Sequence, residues 1–234
     1  MHKVFVTVFR GETLAGQYAL DLQDPAFKLA ATPRPLADVV VTFIREGIHH
    51  IFIGPDHILF VLALILLGGS WHSQVKIITA FTLAHSITLT LATLDIVQLP
   101  SRLVESVIAL SIIVVGLHDL RKLRQGRVES AVGVETGFDP RITMAFTFGL
   151  VHGFGFASVL KELDLPQNAL AWSLGSFNAG VEIGQLLIVL VTAPLLWLLH
   201  QTAKARVSQA VLMAGAYFVI SMGSFWLWQR VLAI

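Results

Sequence analysis

The sequence contains no cysteine, which removes disulfides, thiolate metal ligands and a cysteine nucleophile together. Methionine is scarce too, at 4 of 234 residues, so any metal must be held by nitrogen and oxygen, a donor set that suits Ni, Co, Zn or Mn better than Cu(I). Charged residues make up only 13% of the chain against 55% hydrophobic ones, too few for the surface of a soluble domain of this length. Lipid is therefore part of its solvent. The net charge of +1 is carried by basic residues in connections, with no basic stripe interleaved with aromatics, and this excludes nucleic acid as a partner. Nothing resembles a Walker A loop, so any energy the protein uses would come from a gradient or a partner protein.

What is present is long apolar segments. The expected fold class is all-α, a polytopic transmembrane bundle of about six spans at roughly 47–69, 75–97, 101–120, 141–161, 168–198 and 208–231. Residues 1–36 read as a short extramembrane tail and 37–234 as the transmembrane helical domain. Within the tail, Val4, Val6 and Val8 alternate with Phe5, Thr7 and Phe9 in a strand-like run, and Pro33 and Pro35 stop what precedes the helices. No basic n-region opens the sequence, which leaves a removed or truncated signal peptide an open question. Lys76, the group Arg121, Lys122, Arg124, Arg127 and Arg141, and Lys204 with Arg206 would share the cytoplasmic side, whereas Arg102, Lys161 and Arg230 decorate the other. That arrangement predicts both termini outside the cytoplasm, in the cell's inner membrane.

Ionisable groups inside such spans cost roughly 2.5 to 3.5 kcal/mol each near the bilayer centre, so each invites a function. His50 and His57 share a helical face, yet a straight helix would hold them about 10 Å apart along its axis. Gly54-Pro55 between them predicts a kink that folds His50 toward Asp56 and His57, with Asp56 a ligand or an orienting carboxylate. The bland alternative puts these histidines at the membrane interface. His85, beside hydroxyls, and His152, among Gly149, Gly153 and Gly155, fall at middle depth, where a helix-to-helix hydrogen bond worth about 1 kcal/mol would also explain them. Asn178, Glu182 and Gln185 share one face, and Glu182 is too deep to reach water easily, so it needs a cation, a proton or a hydrogen-bonding partner, most naturally a bound metal or a buried histidine. In depth order, His50, Asp56 and His57, with Glu105, would lie outermost and His85, His152 and Glu182 further in. His72, His118 with Asp119, and His200 would stand at the cytoplasmic ends.

Four motifs, Gly-x-x-His-Ile-x-x-Gly-x-Asp-His-Ile-Leu-Phe at 47–60, Phe-Thr-Leu-Ala-His-Ser at 81–86, Phe-Gly-Leu-Val-His-Gly-x-Gly-Phe-Ala at 148–157 and Phe-Asn-x-Gly-Val-Glu-x-Gly-Gln at 177–185, resemble the HupE/UreJ family, specifically its second branch. The resemblance covers nearly all of 40–230. It implies kinship to nickel permeases, with the first-span ligand motif on His50, Asp56 and His57, the histidine-serine element on His85 and Ser86, and the later acidic residue on Glu182. Phe177-Asn178 departs from the pattern, since permeases tend to carry a histidine near that glutamate.

The leading expectation is transport of a divalent transition metal ion, nickel foremost and cobalt or zinc as alternatives. His50, Asp56 and His57 would take the ion and His85, His152, Asn178 and Glu182 pass it inward. Lipid and metal are the expected partners, and a homo-oligomer or a cytoplasmic metal acceptor would fit as well. The rival is an intramembrane metal-dependent hydrolase, with Glu182 or Asp56 as general base and Ser86 or Ser106 as auxiliary. A third reading is a metal-free assembly partner of another membrane protein.

Overall fold

A computed structural model describes residues 4–10, 13–20, 36–126, 139–156 and 167–232. A hairpin of β1 (Val4–Arg10) and β2 (Thr13–Leu20) precedes the helices, antiparallel from Val4 opposite Leu20 to Arg10 opposite Thr13. Among the described residues seven helices follow: α1 (Leu36–Ile53), α2 (Pro55–Ile65), α3 (Trp71–Thr93), α4 (Ser101–Arg124), α5 (Pro140–His152), α6 (Gln167–Thr202) and α7 (Ala205–Leu232), with a short 3-10 turn, Gly153–Phe156, after α5. Of the residues singled out above, Pro33, Pro35, Arg127 and Lys161 lie outside the described ones.

Local chemistry sets the boundaries. Ser70 caps α3 by accepting from the Ser73 N–H, and Asp139 caps α5 ahead of Pro140, a residue suited to a helix's first position. Gly126, at φ 68°, takes the left-handed conformation just after α4, whose last turn carries Arg121, Lys122 and Arg124 beside the exposed carbonyls. Pro194 lies inside α6, which continues past it to Thr202.

The first expected span, 47–69, is not one rod. α1 begins at Leu36, and α1 and α2 meet at a 78° bend. Gly54 is extended at φ −89°, ψ 98°; its N–H closes α1 on the His50 carbonyl, and its own carbonyl opens α2 by accepting from Ile58. Pro55, having no N–H to donate, starts the new helix, so the predicted kink is a complete break.

Three helix pairs, α1 with α6, α3 with α5 and α4 with α7, make the closest contacts. Each meets at glycine. A Cβ on Gly180 would sit 2.1 Å from the Ile44 carbonyl oxygen and one on Gly47 2.1 Å from that of Phe177, so α1 and α6 touch backbone to backbone. Gly149 lets α5 reach the Phe81 carbonyl of α3, and Gly223 brings α7 onto α4 near Ala109.

Polarity is arranged for lipid. Large apolar side chains such as Leu190 and Val191 on α6 and Phe218 and Trp228 on α7 face outward, while Asp119, Arg141, His85 and His152 are buried. Four helices, α3, α4, the Leu170–Thr202 part of α6, and α7, are long and apolar enough to cross a membrane, and the bent α1–α2 pair makes up to five. The chain is an all-helical membrane protein apart from its hairpin. α5 has only 13 residues, and the rest of the expected span 141–161 is met by the 3-10 turn as far as Phe156 and then passes outside the described residues.

Candidate functional site

The break at Gly54 brings His50, at the end of α1, against His57, in the first turn of α2, with ring centroids 4.6 Å apart. α3 and α5 complete the group. His85 lies 6.3 Å from His50 and His152 5.4 Å from His57, centroid to centroid, so one chain of rings runs His85, His50, His57, His152. Phe60, Phe81 and Phe177 wall it: Phe81 approaches both His85 and His152, Phe60 packs on His152, and Phe177 on His50. The outer-to-inner separation expected between the first-span pair and the mid-depth histidines is absent, because the break turns the first-span residues inward onto the other two.

Hydrogen bonds define the tautomers. His57 Nδ1 faces Asp56 Oδ1 at 3.2 Å, His85 Nδ1 faces Asn178 Oδ1 at 3.1 Å, and His152 Nδ1 faces the Phe148 carbonyl at 2.9 Å. Each partner is an acceptor, so each Nδ1 carries a proton, and in the neutral ring Nε2 then keeps the lone pair. The amide orientation of Asn178 agrees, since its nitrogen donates to the Leu174 carbonyl at 2.9 Å and leaves the oxygen for the imidazole. The Nε2 atoms of His57, His85 and His152 are buried and find no hydrogen-bond partner among the described residues. Three ring nitrogens are thus held among aromatic side chains while an oxygen on the far side of each ring fixes its orientation.

Among the described residues, no three His, Asp or Glu side chains are placed to hold one ion together. Asp56 turns one oxygen to His57 and the other to Arg230, whose Nη2 is 3.1 Å away. Glu182 accepts from the Thr79 hydroxyl at 2.8 Å, so its partner is neither a lysine nor a histidine but a hydroxyl of α3. Gln185 accepts from Thr82, and with His85–Asn178 these contacts form polar rungs between α3 and α6, as the shared face of Asn178, Glu182 and Gln185 predicts. Ser86 and Ser106 donate to the Thr82 and Arg102 carbonyls of their own helices.

These four motifs belong to one lineage: the HupE / UreJ protein family matches residues 27–230. The chain belongs to the HupE/UreJ family. That family is associated with metal transport, and its span here takes in every histidine of the cluster. Neither the curated proteins nor the solved structures provide a match to this HupE/UreJ chain.

Two residues escape sequence reading. Arg141, placed with the basic loop residues above, is 1% exposed and forms an ion pair with Asp139 at 2.9 Å. Arg230, read as a loop decoration, reaches Asp56 beside the cluster. The signal that could have found Arg141 is Asp139-Pro140, a helix start that draws the following arginine into the bundle.

Proposed function

We propose that this protein carries a divalent transition metal ion across the cell's inner membrane through the histidine cluster, with nickel the foremost cargo and cobalt and zinc the alternatives. The observation that carries the reading is the set of unpartnered, buried Nε2 atoms on His57, His85 and His152, each with its Nδ1–H already donated to an oxygen. Buried lone pairs with no donor among the described residues are costly, and a divalent cation would relieve that cost; His200 Nε2 is buried and unpartnered in the same way. Small rotations of the four rings would gather nitrogen ligands around one ion. Asn178 then fixes His85, and Glu182, one turn along α6, is the next carboxylate an ion leaving the cluster would meet.

The reading places both termini outside the cytoplasm, assigns residues 1–36 to an extramembrane tail, and counts α5 towards the span expected at 141–161. Transport is favoured over hydrolysis by the state of the would-be catalytic groups. The Ser86 and Ser106 hydroxyls bond to their own helices, and Asp56 is neutralised by Arg230.

The test is uptake of radioactive nickel, cobalt and zinc into proteoliposomes. Wild-type protein is expected to accumulate at least one of them, and His57→Ala and His85→Ala to abolish that flux while remaining folded. Equal flux in wild type and both variants would overturn the reading.

A further inference from the structure

The cluster is closed at one side by a charge that metal binding does not require. Arg230, in the last turn of α7, donates from Nη2 to Asp56 Oδ2 at 3.1 Å and from Nη1 to the Glu105 carbonyl at 2.9 Å, and its Nε lies 3.8 Å from Glu105 Oε2. Arg102 holds this end of α7 against the start of α4 by donating to the Arg230 and Val231 carbonyls. We propose that Arg230 is a tethered cation that competes with the arriving metal for the Asp56 carboxylate and thereby sets the affinity of the cluster. The proposal rests on the metal reading above.

Three features make Arg230 a competitor and not only a brace. Its target, Asp56, is the residue that orients His57, so the pairing acts one bond away from a ligand nitrogen. Neutralised by the guanidinium, that carboxylate polarises the His57 Nδ1–H less and leaves Nε2 a weaker donor. Exposure grades outward: the Asp56 side chain is 15% exposed and that of Glu105 51%, with Arg230 between them. When an ion takes the inner carboxylate, the guanidinium therefore has an outer one beside it, and no charge is stranded. A doubly charged ion also interacts with Asp56 more strongly than a single guanidinium at comparable distance. Arg230 is thus a specificity-setting residue that admits ions able to outbid it electrostatically.

Calorimetric titration of the purified full chain with nickel tests this through the sign of the effect. Arg230→Gln should bind nickel tighter, on the order of fivefold, the upper end of what a partly exposed ion pair is worth. Glu105→Gln should bind it more weakly, because Arg230 loses its outer resting place. In an Asp56→Asn background, Arg230→Gln should have no further effect. A brace predicts the reverse, weaker binding with a lowered melting temperature. Should Arg230→Gln fail to fold, Arg230→Lys, which cannot fork between the two carboxylates, should still show part of the tightening. Unchanged or weaker binding in the folded variant overturns the competitor role alone, whereas a wild-type protein that binds no nickel overturns the metal reading with it.

Discussion

At the C-terminal end of α2, Arg141 donates to the Gly68 carbonyl at 2.7 Å, to the Leu64 carbonyl at 3.4 Å and through Nε and Nη2 to Asp139, which also receives the Ser73 hydroxyl at 2.8 Å. At the N-terminal end of this 11-residue helix, Asp56 is likewise paired with an arginine, but the neighbouring His57, His85 and His152 each keep a buried nitrogen with no donor among the described residues. Both ends put charge where the helix dipole favours it, a cation by the carbonyls and an anion by the first turn. They differ in completeness. The arginine end satisfies carbonyls freed by the end of α2 and fixes the helix in place, while the histidine end holds acceptors in reserve. A broken span of this kind can therefore be anchored by one end and used by the other.

Breaking the anchor should have the largest effect. Arg141→Ala leaves the Asp139 carboxylate buried and uncompensated, and should lower unfolding stability in detergent by about 3 to 5 kcal/mol, whereas Arg141→Met with Asp139→Leu should recover most of that loss. A loss under about 1 kcal/mol would mean the pair is not an anchor. Next comes Gly180→Ala, whose Cβ would stand 2.1 Å from the Ile44 carbonyl and force α1 away from α6. It should cost about 1 to 3 kcal/mol by thermal unfolding and weaken nickel binding too, since α1 carries His50 and α6 carries Asn178.

At the histidine end the effects should separate from stability. Asn178→Leu removes the acceptor that holds the His85 tautomer and should lower nickel affinity roughly 10- to 100-fold, measured by titration, with the protein still folded. The smallest effect is one of pH. Burial works to raise the pKa of Asp139, which precedes α5, but the Arg141 guanidinium and the Ser73 hydroxyl override it and hold the carboxyl below its ordinary value. A lowered folded-state pKa contributes stability that is complete above the unfolded value of about 3.9 and is lost as pH falls through the folded one. Unfolding curves for wild type and the Arg141→Met, Asp139→Leu pair should therefore lie close near neutral pH and separate at low pH, where wild type alone loses the contribution of Asp139.

The break at Gly54-Pro55 was legible because proline and glycine act on the backbone locally, and the α6 face because spacing alone aligns Asn178, Glu182 and Gln185. The strand-like run at Val4 was visible for its alternation, but its partner Thr13–Leu20 lacks it. Arg141 was hidden for the opposite reason. Its burial depends on carbonyls at Leu64 and Gly68, far away in sequence, and by composition it belongs with a basic loop. Arg230 was missed likewise, because only the packing of α7 on α4 brings it to Asp56. The start of α1 was legible to within two residues, because Asp38 reads as a helix cap and Val39 to Ile44 as the apolar lead into the first span, whereas α1 begins at Leu36.

Nickel-edge X-ray absorption on the loaded protein tests the central claim most directly, because it reports which atoms touch the ion. Imidazole nitrogens should dominate the first shell, and His85→Ala should lower their number while leaving the helical content unchanged. A first shell of oxygens alone, identical in wild type and His85→Ala, or a protein that retains no nickel, would contradict the account.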